Sequence, residues 1–208
     1  MTFSKNGYEI VRNVFSKDLL NHLKTEFELM KDVRYFETGL KDKLAFGDDN
    51  VPKSYCQYAI PAFEALSIQL KEQISQIVDK ELYSTYTYAR IYYKGADLPP
   101  HKDRPSCEFS TTICIDSTEL WDFYIDDRDG RKSTIKLNPG DMCVYDGCNL
   151  THWRETFQGE KQMQVFLHYV NVNGPNSSYK YDERPMLGTA PHKKYASYVV
   201  KKSEFDYK

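Results

Sequence analysis

The sequence has no long apolar run and no excess of charge of either sign. Its 208 residues carry 28 Lys and Arg against 30 Asp and Glu, which gives a formal net charge of −2. We therefore expect no electrostatic attraction to nucleic acid. No stretch approaches the roughly 20 apolar residues that a membrane-spanning helix needs, so we expect no membrane association.

Cysteine is scarce and lacks a recognisable spacing. The chain has five cysteines, an odd number, and no C-x-x-C pair. The first residues, Met1 to Gly7, contain no apolar segment of the kind found in a secretory signal. These features together predict reduced thiols and a cytoplasmic location.

The first part of the chain has helical periodicity. A strand is expected over 7–15, and Ser16 is a suitable N-cap for the helix that follows. The apolar residues of that helix recur at steps of three and four: Leu19, Leu20, Leu23, Phe27 and Met30. Pro61 suits the first turn of a second helix, whose apolar stripe is Phe63, Leu66, Leu70, Ile74 and Ile77.

From Tyr83 onward the period changes to two, which is typical of β-strands. Candidate strands separated by Gly, Pro and Asp turns lie at about 84–93, 98–103, 108–116, 120–126, 132–137, 141–146, 151–156 and 161–171. Eight short strands after two helices predict a mainly β fold, a double-stranded β-helix (jelly roll, cupin-like) buttressed by N-terminal helices. We expect a single domain over 1–208, with helical support at 1–82, a jelly-roll core at 83–172 and a C-terminal extension at 173–208.

His101 and Asp103 stand two residues apart, and His152 follows about fifty residues later. Side chains at i and i+2 of a strand point to the same face, so His101 and Asp103 can hold one metal ion together. A second histidine from a distant strand completes a two-histidine, one-carboxylate set. That set leaves coordination positions open and is associated with non-haem Fe(II) oxygenases.

The residues around His101-x-Asp103 carry a more specific signal than that motif alone. In order along the chain they are Tyr92-x-x-Gly95, His101-x-Asp103, Pro139-Gly140-Asp141, His152 and Gly159-x-Lys161. This order resembles the Fe(II)/2-oxoglutarate-dependent dioxygenases and is most similar to the prolyl 4-hydroxylase-like branch. The resemblance covers roughly residues 84–172.

The resemblance implies a role for five residues. His101, Asp103 and His152 would be the iron ligands, and Lys161 would pair with the far carboxylate of 2-oxoglutarate. Tyr92 would donate a hydrogen bond to the same cosubstrate. The implied cofactors are Fe(II) and 2-oxoglutarate, with ascorbate as a reductant.

Two of these assignments have rivals. His168 competes with His152, and strand parity bears on the choice. On 161–169 the apolar residues share a face with Lys161, so if that face lines the barrel, Lys161 points inward and His168 outward. Arg90 competes with Lys161 as the cation for 2-oxoglutarate, and the parity of 84–93 does not decide between them.

Three residues beside the candidate ligands, Arg104, Trp153 and Arg154, fit either the rim of a substrate site or the surface. Substrate contacts in this fold come mostly from variable loops, and here we expect them from 35–60 and 173–208. The family's nucleic-acid dealkylases carry paired arginines after the distal histidine, and this chain has none between Arg154 and Arg184.

The expected activity is therefore hydroxylation of a C–H bond by O2 with release of succinate and CO2. The closest resemblance implies a prolyl residue in a peptide as the substrate. Leu98 stands where that branch often has an aromatic residue, which keeps a small-molecule substrate open. The alternatives from other classes are a cupin-like metal or small-ligand-binding module without oxygenase activity, and a structural interaction domain with an incidental H-x-D.

Overall fold

The computed structural model describes residues 2–38 and 51–184, and the side chains of 2–32 and 51–184. The helices are α1 (Thr2–Asn6), α2 (Lys17–Thr38) and α3 (Pro61–Val78), with short 3-10 segments at Pro105–Cys107 and Ser177–Glu183. The strands are β1 (Tyr8–Val11), β2 (Ser54–Tyr58), β3 (Leu82–Tyr93), β4 (Leu98–His101), β5 (Phe109–Ser117), β6 (Phe123–Asp126), β7 (Lys132–Ile135), β8 (Met142–Asp146), β9 (His152–Arg154) and β10 (Lys161–Asn171).

The strands form two antiparallel sheets. One has six strands in the order β1-β8-β5-β10-β3-β2, and the other has four in the order β4-β9-β6-β7. Apart from the consecutive pairs β2–β3 and β6–β7, neighbours in each sheet are distant in sequence, as in a jelly roll. The predicted mainly β, double-stranded β-helix fold is confirmed, and all eight strands expected after residue 83 are present.

Strand β2 lies within 35–60, which the sequence predicts to be a loop. Four of its five residues are buried, so it does not alternate between polar and apolar positions. Periodicity alone cannot detect a short strand of this kind. It extends the large sheet at the edge beside β3, with Cys56 opposite Arg90.

The two long helices begin where the sequence predicted. The Ser16 hydroxyl accepts a hydrogen bond from the Leu19 amide at 3.3 Å, so it caps α2. Pro61 occupies the first turn of α3, where a missing N–H costs nothing. No helix in the described ranges is long and apolar enough to cross a membrane, and all five cysteines are free thiols.

Helices α2 and α3 pack on the outer face of the large sheet. Phe27 of α2 and Phe63 of α3 meet edge to face, with ring centroids 6.1 Å apart. The alternate side chains of β10 that belong to this core are Met163, Val165, Leu167 and Tyr169. The condition under which Lys161 would point inward and His168 outward is therefore not met, because the helices cover this apolar face and the opposite face of β10 turns inward.

Removal of the Phe63 ring tests the helical layer. Phe63 is 1% exposed, so Phe63→Ala should lower the free energy of unfolding by about 3–5 kcal/mol. Ile68→Ala on the same helix is the matched control. Ile68 is 51% exposed, and its loss should change stability by about 0.5 kcal/mol or less. Urea denaturation measures both variants, and equal effects would contradict this packing.

Candidate metal centre

His101, Asp103 and His152 meet at one point of the small sheet. His101 at the end of β4 lies directly opposite His152 at the start of β9. The centroids of the two imidazole rings are 4.3 Å apart. The Asp103 Oδ1 atom lies 3.7 Å from His101 Nε2 and 3.5 Å from His152 Nε2. The three candidate ligand atoms all lie within 4.8 Å of one another.

Backbone carbonyls fix the orientation of both imidazoles. His101 Nδ1 lies 2.8 Å from the Pro99 carbonyl, and His152 Nδ1 lies 3.0 Å from the Leu150 carbonyl. Each Nδ1–H therefore donates to a carbonyl and leaves the Nε2 lone pair facing Asp103, as in metal-binding histidines. Burial, together with the charge of His152, lowers the pKa of His101, which favours the neutral form that binds metal.

The Asp103 carboxylate is held on two sides. Its Oδ2 accepts a hydrogen bond from the Ser110 hydroxyl at 2.8 Å. The backbone amide of Asp103 donates to the Gly147 carbonyl at 2.8 Å. Burial alone would raise the pKa of Asp103, but His152, His168 and Ser110 outweigh it and lower the pKa to about 2. Two imidazoles and one ionised carboxylate fit a divalent transition metal.

A second set of potential ligands shares Asp103. Asp103, Cys107 and His168 also offer ligand atoms within 4.8 Å of one another. The Ser110 hydroxyl occupies the space between them, 2.8 Å from both Asp103 Oδ2 and His168 Nδ1. This cluster is therefore a hydrogen-bonded network around the first set, and His168 does not point outward but lines the cavity.

The three candidate ligands open onto a cavity of about 610 Å3. Asp103 is the one carboxylate among the described residues that line it, whereas the lining cations are Arg90, Lys102, Arg104 and Arg154. Tyrosines contribute much of the remaining wall: Tyr58, Tyr86, Tyr88, Tyr92 and Tyr145. The cavity is thus aromatic and cationic, which suits an anionic ligand.

Arg154 is the functional candidate that the sequence analysis placed least well, because it is neither at a rim nor on the surface. It is 2% exposed, and burial lowers its pKa. One terminal nitrogen donates to the Trp121 carbonyl at 2.7 Å, and the other has no hydrogen-bond partner among the described residues. The parity of β9, which puts Arg154 on the face of His152, was the available signal.

The structure separates the two cations that the sequence analysis weighed. Lys161 is not among the residues that line the cavity; its Nζ forms an ion pair with Glu28 of α2 and lies 3.9 Å from Asp116. Arg90 is 7% exposed, lines the cavity and lies over the rings of Tyr88 and Tyr92, at 5.2 and 5.6 Å. Lys161 points away from the cavity because the face of β10 that carries it packs toward the helices.

Comparison with known proteins identifies the fold. No protein-family model matches the chain, and no curated protein matches it in sequence. Among solved structures, AviO1 from Streptomyces viridochromogenes is 18% identical, with 83% of this chain and 93% of AviO1 aligned and a TM-score of 0.66.

Two further solved structures are similar. HygX from Streptomyces hygroscopicus, with nickel and 2-oxoglutarate bound, is 13% identical over 83% of this chain and 85% of its own, with a TM-score of 0.64. A prolyl-4-hydroxylase from Pseudomonas putida is 14% identical over 81% and 95%, with a TM-score of 0.61. At these identities the similarity establishes that the chain shares their fold.

Each of the three candidate ligands should be required for metal binding. His101→Ala, Asp103→Ala and His152→Ala should each abolish stoichiometric binding of Co(II), because two ligands remain. His22→Ala, a change at an exposed residue of α2, is the control and should bind like the unaltered protein. Isothermal calorimetry gives the stoichiometry, and retained binding in His152→Ala would exclude it as a ligand.

Gly147 tests how closely the backbone must approach Asp103. A Cβ at Gly147 would lie 2.4 Å from Asp103 Oδ2 and 2.5 Å from the Cys107 carbonyl, so Gly147→Ala should displace the carboxylate and weaken metal binding. Gly130→Ala is the control: its Cβ would meet nothing within 4 Å, and the strain from its positive φ of 77° falls in the turn between β6 and β7. If both variants bind Co(II) equally well, the close approach at Gly147 has no effect on the metal centre.

Proposed function

We propose that this protein is an Fe(II)- and 2-oxoglutarate-dependent dioxygenase that hydroxylates a C–H bond and releases succinate and CO2. The observation that carries the proposal is one cavity that contains both a two-histidine, one-carboxylate set and a fully buried arginine, Arg154, on the same strand as His152. A metal-binding module without oxygenase activity would need the first feature but not the second.

Three residues would hold the iron: His101, Asp103 and His152. When bound, iron and 2-oxoglutarate together supply the activation of O2 that the amino acids cannot provide. The chain contributes the positions of the ligands and one carboxylate charge that offsets half of the metal's charge. The three ligand atoms lie within 4.8 Å of one another on the cavity wall, so an ion that they held would be accessible from the cavity.

Arg154 is the proposed partner of the far carboxylate of 2-oxoglutarate. A buried anion without a partner is costly, and a charge-assisted hydrogen bond to a guanidinium offsets that cost. Arg154 stands two residues beyond His152, which in a strand is about 6.5 Å. Its nitrogen without a partner among the described residues supports this role, whereas Lys161 is engaged with Glu28.

Tyr92 and Arg90 form the wall beside Arg154. Tyr92 lines the cavity with its ring edge-on to Trp121, at 5.0 Å between centroids, and we propose that its hydroxyl donates to the cosubstrate. Arg90 remains the second candidate for the anchoring cation. Both positions belong to the face of β3 that turns into the cavity.

Aromatic rings limit the access of water to the deep end of the cavity. The rings of Tyr145 and Phe123 lie 4.8 and 5.8 Å from that of His152. The Arg154 guanidinium lies over the rings of Trp121 and Phe123, at 4.9 and 5.2 Å. A site with little water strengthens charge interactions within it, which supports binding of a dicarboxylate there.

The proposed substrate is a prolyl residue in a peptide. The motif resemblance to the prolyl 4-hydroxylase-like branch supports it, and so does an open groove beside the cavity, about 540 Å3 in volume, which shares Leu98, Pro99 and Arg154 with the cavity wall. A polar small molecule is the second candidate, favoured by the tyrosine-rich wall. HygX, which shares the fold, has been crystallised with hygromycin B.

The anchoring cation can be identified with three parallel variants. Arg154→Gln should weaken 2-oxoglutarate binding about ten- to a hundredfold, since it removes a charge-assisted hydrogen bond. Lys161→Gln should leave binding unchanged. The third variant is Arg90→Gln. Anaerobic calorimetry on the Fe(II) protein measures 2-oxoglutarate binding by all three. If only Arg90→Gln binds 2-oxoglutarate more weakly, Arg90 is the anchoring cation.

A cosubstrate analogue controls for general damage at Arg154. 2-Oxopentanoate has a methyl group in place of the far carboxylate. The unaltered protein should therefore prefer 2-oxoglutarate strongly, and Arg154→Gln should lose that preference while it binds 2-oxopentanoate as before. Weakened binding of both acids would show that the substitution disturbs the site as a whole.

Turnover tests the reaction and the substrate class. With Fe(II), ascorbate and O2 the protein should convert 2-oxoglutarate to succinate, and a proline-rich peptide should raise the rate and become 16 mass units heavier, the mass of one oxygen atom. If only small metabolites stimulate turnover, the dioxygenase activity stands and a small molecule replaces the peptide as the proposed substrate. If no succinate forms under any condition, the result favours the alternative of a cupin-like binding module without oxygenase activity.

A further inference from the structure

Ser110 is a buried residue of β5 that touches a candidate ligand without being one. Its hydroxyl oxygen lies 2.8 Å from Asp103 Oδ2, 2.8 Å from His168 Nδ1 and 3.2 Å from the Cys107 carbonyl. Ser110 and His168 are directly opposite each other on β5 and β10. Both belong to the large sheet, whereas His101 and His152 belong to the small one.

The hydrogen bonds of Ser110 have one arrangement that satisfies both short contacts. A serine hydroxyl donates one hydrogen and accepts with two lone pairs. If the hydrogen went to His168 Nδ1, a hydroxyl lone pair would face the ionised Asp103 Oδ2 at 2.8 Å, which is repulsive. His168 Nδ1–H therefore donates to Ser110, and Ser110 donates to Asp103.

The surroundings of His168 support this tautomer. Its ring packs against that of Tyr86 at 4.5 Å and lies parallel to that of Phe166 at 6.5 Å, so it cannot turn freely. Burial lowers the pKa of His168 to about 4, so at neutral pH the ring carries one proton. The contact with Ser110 places that proton on Nδ1.

We propose that Ser110 and His168 form a positioning pair that fixes which oxygen of Asp103 faces the metal. The pair holds Oδ2 in a hydrogen bond and leaves Oδ1 between His101 Nε2 and His152 Nε2. The inference rests on the proposed metal site. Neither residue binds the metal, and each acts through Asp103.

Gly147 closes the other side of the Asp103 carboxylate. Its backbone passes so close to Oδ2 that any Cβ there would overlap Asp103, Cys107 and Ser110. The carboxylate therefore cannot relax toward Gly147 when the bond to Ser110 is lost. Without that bond Oδ2 is left buried without its donor, and turning toward the metal becomes its remaining option.

Ser110→Ala is the first test, with Co(II) as the probe. Loss of the hydrogen bond to a carboxylate should weaken Co(II) binding about ten- to a hundredfold and change the visible absorption bands of the bound ion. Thr112→Val is the matched control, since it removes another buried hydroxyl of β5 that bonds to Gln164. That variant should keep both the affinity and the spectrum.

His168→Asn and His168→Leu test the second member of the pair. An asparagine amide can still donate to Ser110 near the position of Nδ1, so His168→Asn should keep the Co(II) spectrum. His168→Leu cannot donate, so the Ser110 hydrogen is free to turn to the Cys107 carbonyl, and the spectrum should shift toward that of Ser110→Ala. Thermal unfolding without metal measures any purely structural loss in each variant.

The outcomes separate this inference from the proposed function. If Ser110→Ala binds Co(II) like Thr112→Val, or if His168→Leu has the spectrum of the unaltered protein, the positioning pair is overturned while the metal site stands. If His101→Ala also binds Co(II) normally, the metal site itself is wrong. Weakened affinity with an altered spectrum in Ser110→Ala and His168→Leu, but not in the two matched variants, supports the pair.

Discussion

The position of one carboxylate, largely but not fully buried, governs the arrangement of the candidate site. Asp103 lies between two imidazoles on one side and a serine hydroxyl on the other, and its two oxygens have different partners. A carboxylate in such a place is costly unless each oxygen is engaged. The Ser110 hydroxyl of the large sheet meets that requirement for Oδ2, and a metal ion held with the two histidines of the small sheet would meet it for Oδ1.

The helical layer determines which face of the large sheet is available for chemistry. Helices α2 and α3 cover one face with apolar contacts, so polar side chains on the opposite face of β3 and β10 line the cavity. Arg90, Tyr92 and His168 are on that inner face. Lys161 is on the outer face, where Glu28 of α2 pairs with it.

The sequence was sufficient to predict the eight strands, the starts of both long helices and the convergence of His101, Asp103 and His152. Two-residue periodicity and the turns predicted the strands, and Ser16 and Pro61 predicted the helix starts, because each is a local property of the chain. The motif resemblance predicted that His152 joins His101 and Asp103. Strand β2 was missed because its residues are buried without alternation. The parity of β10 does not reveal which of its faces turns inward, because both are largely buried, one against the helices and one at the cavity.

The cation for a dicarboxylate could not be chosen from the sequence. The choice depends on which face of each strand turns inward, and that is decided by packing between elements distant in sequence. Arg154 has the parity of His152 on β9, so its inward orientation follows once His152 is placed. The burial of its guanidinium against Trp121 and Phe123 required the three-dimensional structure.

The hydrogen bond between Asp103 and Ser110 has a mechanical consequence. Asp103 follows β4 of the small sheet and Ser110 belongs to β5 of the large sheet, so this contact joins the two halves of the barrel. A metal ion that holds Asp103 in place would reinforce this contact between the sheets, although its ligands all come from the side of the small sheet. By linkage, the resistance of the whole barrel to unfolding would then rise with the concentration of free metal.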